Sequence, residues 1–154
     1  MKPWTAALLA LGLLAAAAQT KPTAPELWNW LADQNFAERW RHVPGEPEGK
    51  YRGGPPHGAV LQTFVNDLAF EALRSGRFPL PAGAVIVKEN YTADGRLANL
   101  AVMRKVEGYN PEGGDWFWAE YTPDGRVLFE GKAALCIGCH AQKKASDWIF
   151  SGQD

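Results

Sequence analysis

Both cysteines of the 154-residue chain fall within one five-residue segment, Cys136-Ile137-Gly138-Cys139-His140, close to its C-terminal end. A disulfide framework would spread its cysteines along the chain so as to tie loops together, and two thiols this close tie nothing. The fold therefore has to be held by an ordinary hydrophobic core, and the cysteines serve one local purpose. With 46% hydrophobic residues the chain can bury the core of one domain, and its length is short for two.

Two thiols at this spacing, followed at once by an imidazole, meet the requirements for covalent porphyrin attachment. Each thiol reaches one vinyl group, and the next residue can place its nitrogen on the iron from the same side. Cys136 and Cys139 are thus expected to carry a single haem c through thioethers, with His140 ligating the iron. A redox dithiol of thioredoxin type would be expected in a βαβ context near the chain start, whereas this motif follows a run of antiparallel strand signals. Zinc would need further ligands, and His42 and His57 show no ligand spacing to each other or to the cysteines.

The chain begins Met1-Lys2 and continues with an apolar run from Trp4 to Ala18, the layout of a secretory signal with an A-x-A cleavage site near Ala16 and Ala18. The run is short for a spanning helix. Residues 1–19 are accordingly read as a leader, residues 20–154 as one haem-binding domain, and the mature protein as periplasmic or secreted without stable membrane insertion. A net charge of −1 with scattered basic residues gives no basic stripe, which excludes nucleic acid as a partner.

Along the chain, Leu27, Trp30, Leu31, Phe36 and Trp40 recur at helical spacing from Ala24 to about Arg41, with Pro25 in the first turn. His42 to Gly58 is rich in Pro, Gly and charge and reads as a long surface loop. Asn66 is placed to cap a second helix running to Ser75, with Gly76 ending it. Ala84–Lys88, Leu97–Val106, Trp116–Tyr121 and Arg126–Phe129 then read as strands separated by Asp-Gly turns. In Trp116-Phe117-Trp118 both faces of the strand carry bulky rings, one of which can pack against haem or simply fill the core. The fold class expected is α+β: a predominantly antiparallel sheet of four or five strands with an N-terminal helix, a second helix and a short C-terminal haem-attachment helix.

A small electron carrier completes its iron with a second strong ligand. The available side chains are Met103, His57 and His42. Met103 lies in the strand-like LANLAVMRKV, where methionine is a core filler, so the second axial position is expected to be open.

The segments PPHG at Pro55–Gly58, FVND at Phe64–Asp67, GRFPLPAGAVIVKENY at Gly76–Tyr91, GYNPEGGDWFWAEYTPDG at Gly108–Gly125 and the final CIGCH resemble the cytochrome P-460 family, which includes the cytochromes c′-beta. The resemblance covers most of the chain after the leader. It implies a five-coordinate haem c with a proximal histidine, often a homodimer, and chemistry on small nitrogen species: hydroxylamine oxidation in some members, nitric oxide binding in others. Lys88 matches a lysine that some members bond covalently to the haem edge. From the residues alone, a lysine ending an apolar strand either snorkels to water, pairs with an acid, or is buried as a neutral amine. Phe78 matches an aromatic that approaches the open haem face in the family, and core packing is its other reading.

There is a departure from the catalytic members. Oxidising hydroxylamine requires a proton acceptor, yet the corresponding stretch, Ala101-Val102-Met103, is apolar, and Leu61-Gln62 stands where a distal arginine is sought. An apolar distal pocket is therefore expected, which favours binding nitric oxide or a related small nitrogen ligand. Two other readings stay open: a hydroxylamine or nitric oxide oxidising enzyme with a Lys88–haem bond, and a six-coordinate electron-transfer cytochrome whose redox partner the sequence does not identify.

Overall fold

The computed structural model describes residues 21–150. The leader read over residues 1–19 lies outside the described residues. Helix α1 (Ala24–Gln34) starts behind Thr23 with proline in its first turn. The helical spacing continues toward Arg41, but Asn35 adopts the left-handed conformation (φ 48°) and breaks the helix, leaving a single turn, α2 (Phe36–Arg39). Asparagine takes that conformation more readily than most residues, and periodicity alone does not show it.

The loop from His42 to Gly58 holds most of two short strands, β1 (Arg41–His42) and β2 (Tyr51–Arg52). Both pair with β3 (Val60–Val65), a strand the sequence pattern did not announce. Helix α3 (Asp67–Arg74) follows. The Asn66 side chain caps it by accepting from Ala69 N at 3.1 Å, and the same oxygen accepts from Val85 N at 3.0 Å, so the cap also fastens the helix to the sheet.

Strands β4 (Val85–Tyr91), β5 (Leu97–Lys105), β6 (Trp116–Tyr121) and β7 (Val127–Gly131) complete a seven-stranded antiparallel sheet in the order β1-β3-β4-β5-β6-β7, with β2 on the free flank of β3. The last helix, α4 (Ala134–His140), runs into a 3-10 segment, Ala141–Ser146. An antiparallel α+β fold is what the sequence led one to expect; the additional strands are all short or border the proline-rich loop. Among the described residues no helix is long and apolar enough to cross a membrane.

Because side chains alternate across a strand, the sheet sorts its residues into two cores. One face carries Val85, Val87, Leu100, Val102, Phe117 and Tyr121 against Leu27 and Leu31 of α1. The other carries Ile86, Met103, Trp116 and Trp118 against α3 and the C-terminal segment. On that second face Lys105 is buried, and its ammonium meets Asp147 at 2.5 and 2.7 Å and the Gly114 carbonyl at 2.6 Å. The Asp147 carboxylate also accepts from Leu80 N, and its backbone carbonyl accepts from the Trp116 indole, both at 2.8 Å. The segment after α4 is thus pinned to the sheet by a fully hydrogen-bonded ion pair.

Asp147→Ala would leave the Lys105 ammonium buried without its counter-charge. Urea titration is expected to show a loss of about 3–5 kcal/mol in unfolding free energy, with a far smaller change for Glu71→Ala, whose ion pairs with Arg41 and Arg74 are exposed.

Candidate functional site

The second face of the sheet, α4 and the proline-rich loop enclose a cleft of about 1010 Å³ including its open mouth. Cross-strand register builds its floor in three rows, each about 7 Å from the next because alternate residues share a face. The first row is Asn90 and Asn99; the second Thr63, Lys88, Ala101, Glu120 and Phe129; the third Ile86, Met103 and Trp118.

Cys136, Cys139 and His140 all line this cleft from α4. The His140 ring is 9% exposed, packs 4.7 Å from the Trp118 ring and 5.1 Å from the Phe150 ring, and its Nδ1 lies 2.6 Å from the Trp148 carbonyl. A carbonyl accepts only, so Nδ1 carries the proton and Nε2 keeps the lone pair that a metal needs. Burial lowers the His140 pKa, opposed by that hydrogen bond, which keeps the ring available in its neutral, ligating form. Of the strand rings, Trp118 borders the cleft while Phe117 belongs to the α1 core, so one face of that strand does serve the site.

Lys88 is not at a strand end. It stands in the middle of β4 between Thr63 and Ala101, points into the cleft, and its pKa is lowered by burial, with the charge of Glu46 acting the other way. Phe78 is placed elsewhere: it is 37% exposed and borders a separate depression with Pro79, Lys105 and Asp147. Its place in this structure supports neither a position over the cleft nor packing in the core. The apolar distal side is also corrected, since Glu46, His57, Asn90 and Asn99 line the cleft. The Ala101-Val102-Met103 stretch is apolar as read, but the polar groups come from a loop and from neighbouring strands that linear alignment does not bring together.

Glu46 and His57 are the residues that sequence reasoning did not place at the site. Burial raises the Glu46 pKa against the nearby Lys88 charge, and one of its carboxylate oxygens is buried without a hydrogen-bond partner. His57 is held near a pKa of about 4, chiefly by burial and then by the Lys88 and His140 charges. Its position follows from Gly58. A Cβ there would stand 2.5 Å from the Tyr91 carbonyl oxygen and 2.6 Å from its nitrogen, so only glycine lets the loop close onto β4 and bring His57 beside Asn90.

A model of the Cytochrome P460 family matches residues 38–151, nearly three quarters of the chain. The chain belongs to this family. A comparison with curated proteins finds no match. Membership in the cytochrome P460 family implies haem, and the cleft suits one: of the five buried side-chain atoms without partners among the described residues, the Glu46 Oε2, Asn90 Oδ1 and Trp118 Nε1 atoms belong to residues lining it. Orphaned polar atoms around a hollow fit a large group with polar edges.

The Cys136 thiol is pushed up to about 11, first by burial and then by the Glu120 charge. Since the thiolate is the reactive form, alkylation of Cys136 at pH 8 in chain made without haem should run up to about 100-fold slower than that of a thiol near 9, as followed by peptide mass spectrometry.

Proposed function

We propose that this chain is an exported mono-haem c-type cytochrome that binds nitric oxide or a related small nitrogen ligand. Cys136 and Cys139 would hold the haem, His140 would ligate its iron, and the iron supplies the redox-active centre to which a diatomic binds. The observation that carries the reading is the convergence of Cys136, Cys139 and His140 on one cleft that also receives Lys88 from the middle of the sheet. Each thiol adds its S–H across one vinyl group, the sulfur bonding one carbon and the proton going to the other, so attachment consumes no oxidant. The Trp148 carbonyl fixes the tautomer and direction of His140, and the Trp118 and Phe150 rings shield the imidazole from water.

Lys88 and Glu46 support a second reading, oxidation of hydroxylamine or nitric oxide. The carboxylate that such chemistry needs as proton acceptor is present in Glu46 rather than in the strand where the family pattern would put it. A Lys88 bond to the haem edge would replace one N–H and one C–H by an N–C bond and release two electrons, which a peroxide could take up. A six-coordinate carrier using Met103 gains no support: Met103 pairs with Trp118, whose ring lies on His140, and so belongs to the His140 side of the cleft.

Holoprotein purified from an exporting host is expected to keep its haem in acidified organic solvent, and Cys136→Ala/Cys139→Ala is expected to release it. Titration of the anaerobic ferrous protein with nitric oxide should give one nitrosyl per chain with little turnover of hydroxylamine against an electron acceptor; fast turnover would favour the oxidising enzyme. Under the gas-binding reading Lys88→Ala is expected to leave the Soret maximum and the mass of the haem peptide unchanged. A blue-shifted Soret band and a haem peptide that has lost the mass of an attached Lys88 peptide would reveal a bond in the parent protein.

A further inference from the structure

The three floor rows place two imidazoles on opposite sides of Lys88. His140 stands over the third row, against Trp118. His57 stands over the first, where Gly58 abuts Asn90 and Tyr91. The two ring centres are 6.4 Å apart and their planes meet at 86°. With metal–imidazole bonds of about 2.0–2.1 Å and ring nitrogens about 1.1 Å from the ring centre, two histidines on opposite sides of one metal have centres about 6.3 Å apart. The other edge-to-face pairs among the described residues run from 4.7 to 5.9 Å, so the two imidazoles stand farther apart than any of them.

We propose that His57 is a second, displaceable axial ligand, so that the haem rests in a six-coordinate state between His140 and His57 and an incoming ligand takes the place of His57. The inference rests on the haem reading above but not on the identity of the ligand. The asymmetry between the two histidines lies in what holds them. His140 is part of α4 and is fixed through Nδ1 to the Trp148 carbonyl, behind which stands the Asp147–Lys105 ion pair. His57 rides on the short loop between β2 and β3 and is part of neither strand. The displacement breaks one metal–nitrogen bond and forms another, with no electron transferred. Apparent ligand affinity is then reduced by the fraction of molecules in which His57 has let go.

The test is the spin state of ferric holoprotein, by electron paramagnetic resonance and absorption. Wild type is expected to be low-spin, with a near-infrared magnetic circular dichroism band in the range of two imidazoles rather than imidazole with thioether. His57→Ala is expected to be high-spin and to return to low-spin on addition of free imidazole, whereas Met103→Leu stays as wild type. A high-spin wild type, or a His57→Ala protein that remains low-spin without added imidazole, overturns the assignment. The near-infrared measurement needs no variant and decides the matter even if His57→Ala does not fold. In stopped flow, nitric oxide binding to wild type should reach a rate independent of its concentration, set by release of His57, and His57→Ala should bind at least about tenfold faster at saturation. A wild type that is low-spin through His57 yet binds no nitric oxide upholds this assignment and overturns the gas-binding reading instead.

Discussion

The buried ion pair between Lys105 and Asp147 is the constraint from which the site is built. Two opposite charges taken out of water stabilise little on balance, because desolvation offsets their attraction, but losing one partner is costly. Their worth here is positional. Asp147 also accepts the Leu80 amide and, through its carbonyl, the Trp116 indole, so one residue fixes the last described segment against β5, β6 and the stretch before β4. The next carbonyl along, that of Trp148, aims His140. Asp147 and Trp148 both sit in the left-handed region, at φ 58° and 61°, and this double reversal carries the chain back over α4. An uncommon backbone conformation for two side-chain-bearing residues is maintained because ion pair, indole and imidazole all hold it.

Much of the framework was legible because local chemistry dictated it. Asn66 as a cap, Trp116–Tyr121 as a strand and the Asp-Gly turns needed no tertiary information. Val60–Val65 escaped notice because it follows a glycine-rich loop and buries its last three residues together rather than alternately; its Val, Thr and Phe content was the usable signal. Asn35 hid a helix break inside an unbroken apolar period. At the site, the Cys136-x-x-Cys139-His140 spacing was conspicuous in the sequence, and the structure turns all three residues into the cleft. Glu46 and His57 were not, as each reaches the cleft only when β1, β2 and β3 pair and fold the proline-rich loop back over Lys88. Phe78 illustrates the converse: its place in a family-like segment suggested proximity, and the turn into Pro79 carries it to another surface.

The sheet keeps two tasks apart. The α1 face is closed by aliphatic and aromatic packing, with Tyr121 donating to the Ala24 carbonyl at 2.8 Å. The opposite face is partly hollow, lined by Lys88, Glu46 and His57 at places where a compact apolar core would have put leucine. Burying these groups is unfavourable, and the packed face compensates for the unpacked one. Local-stability contrasts of this kind are common where a fold must leave space for something else.

The Trp148 carbonyl lies eight residues after the imidazole it orients, and that order has a temporal meaning. A chain leaving its ribosome or a membrane pore with the N-terminal end first presents both thiols and His140 before the residues that aim the imidazole have emerged. During that interval α4 is free of its tether and the cleft is open on the proximal side. The Trp148 carbonyl then acts as a latch, and the direction of the imidazole is decided when the segment after α4 docks rather than when the sheet forms.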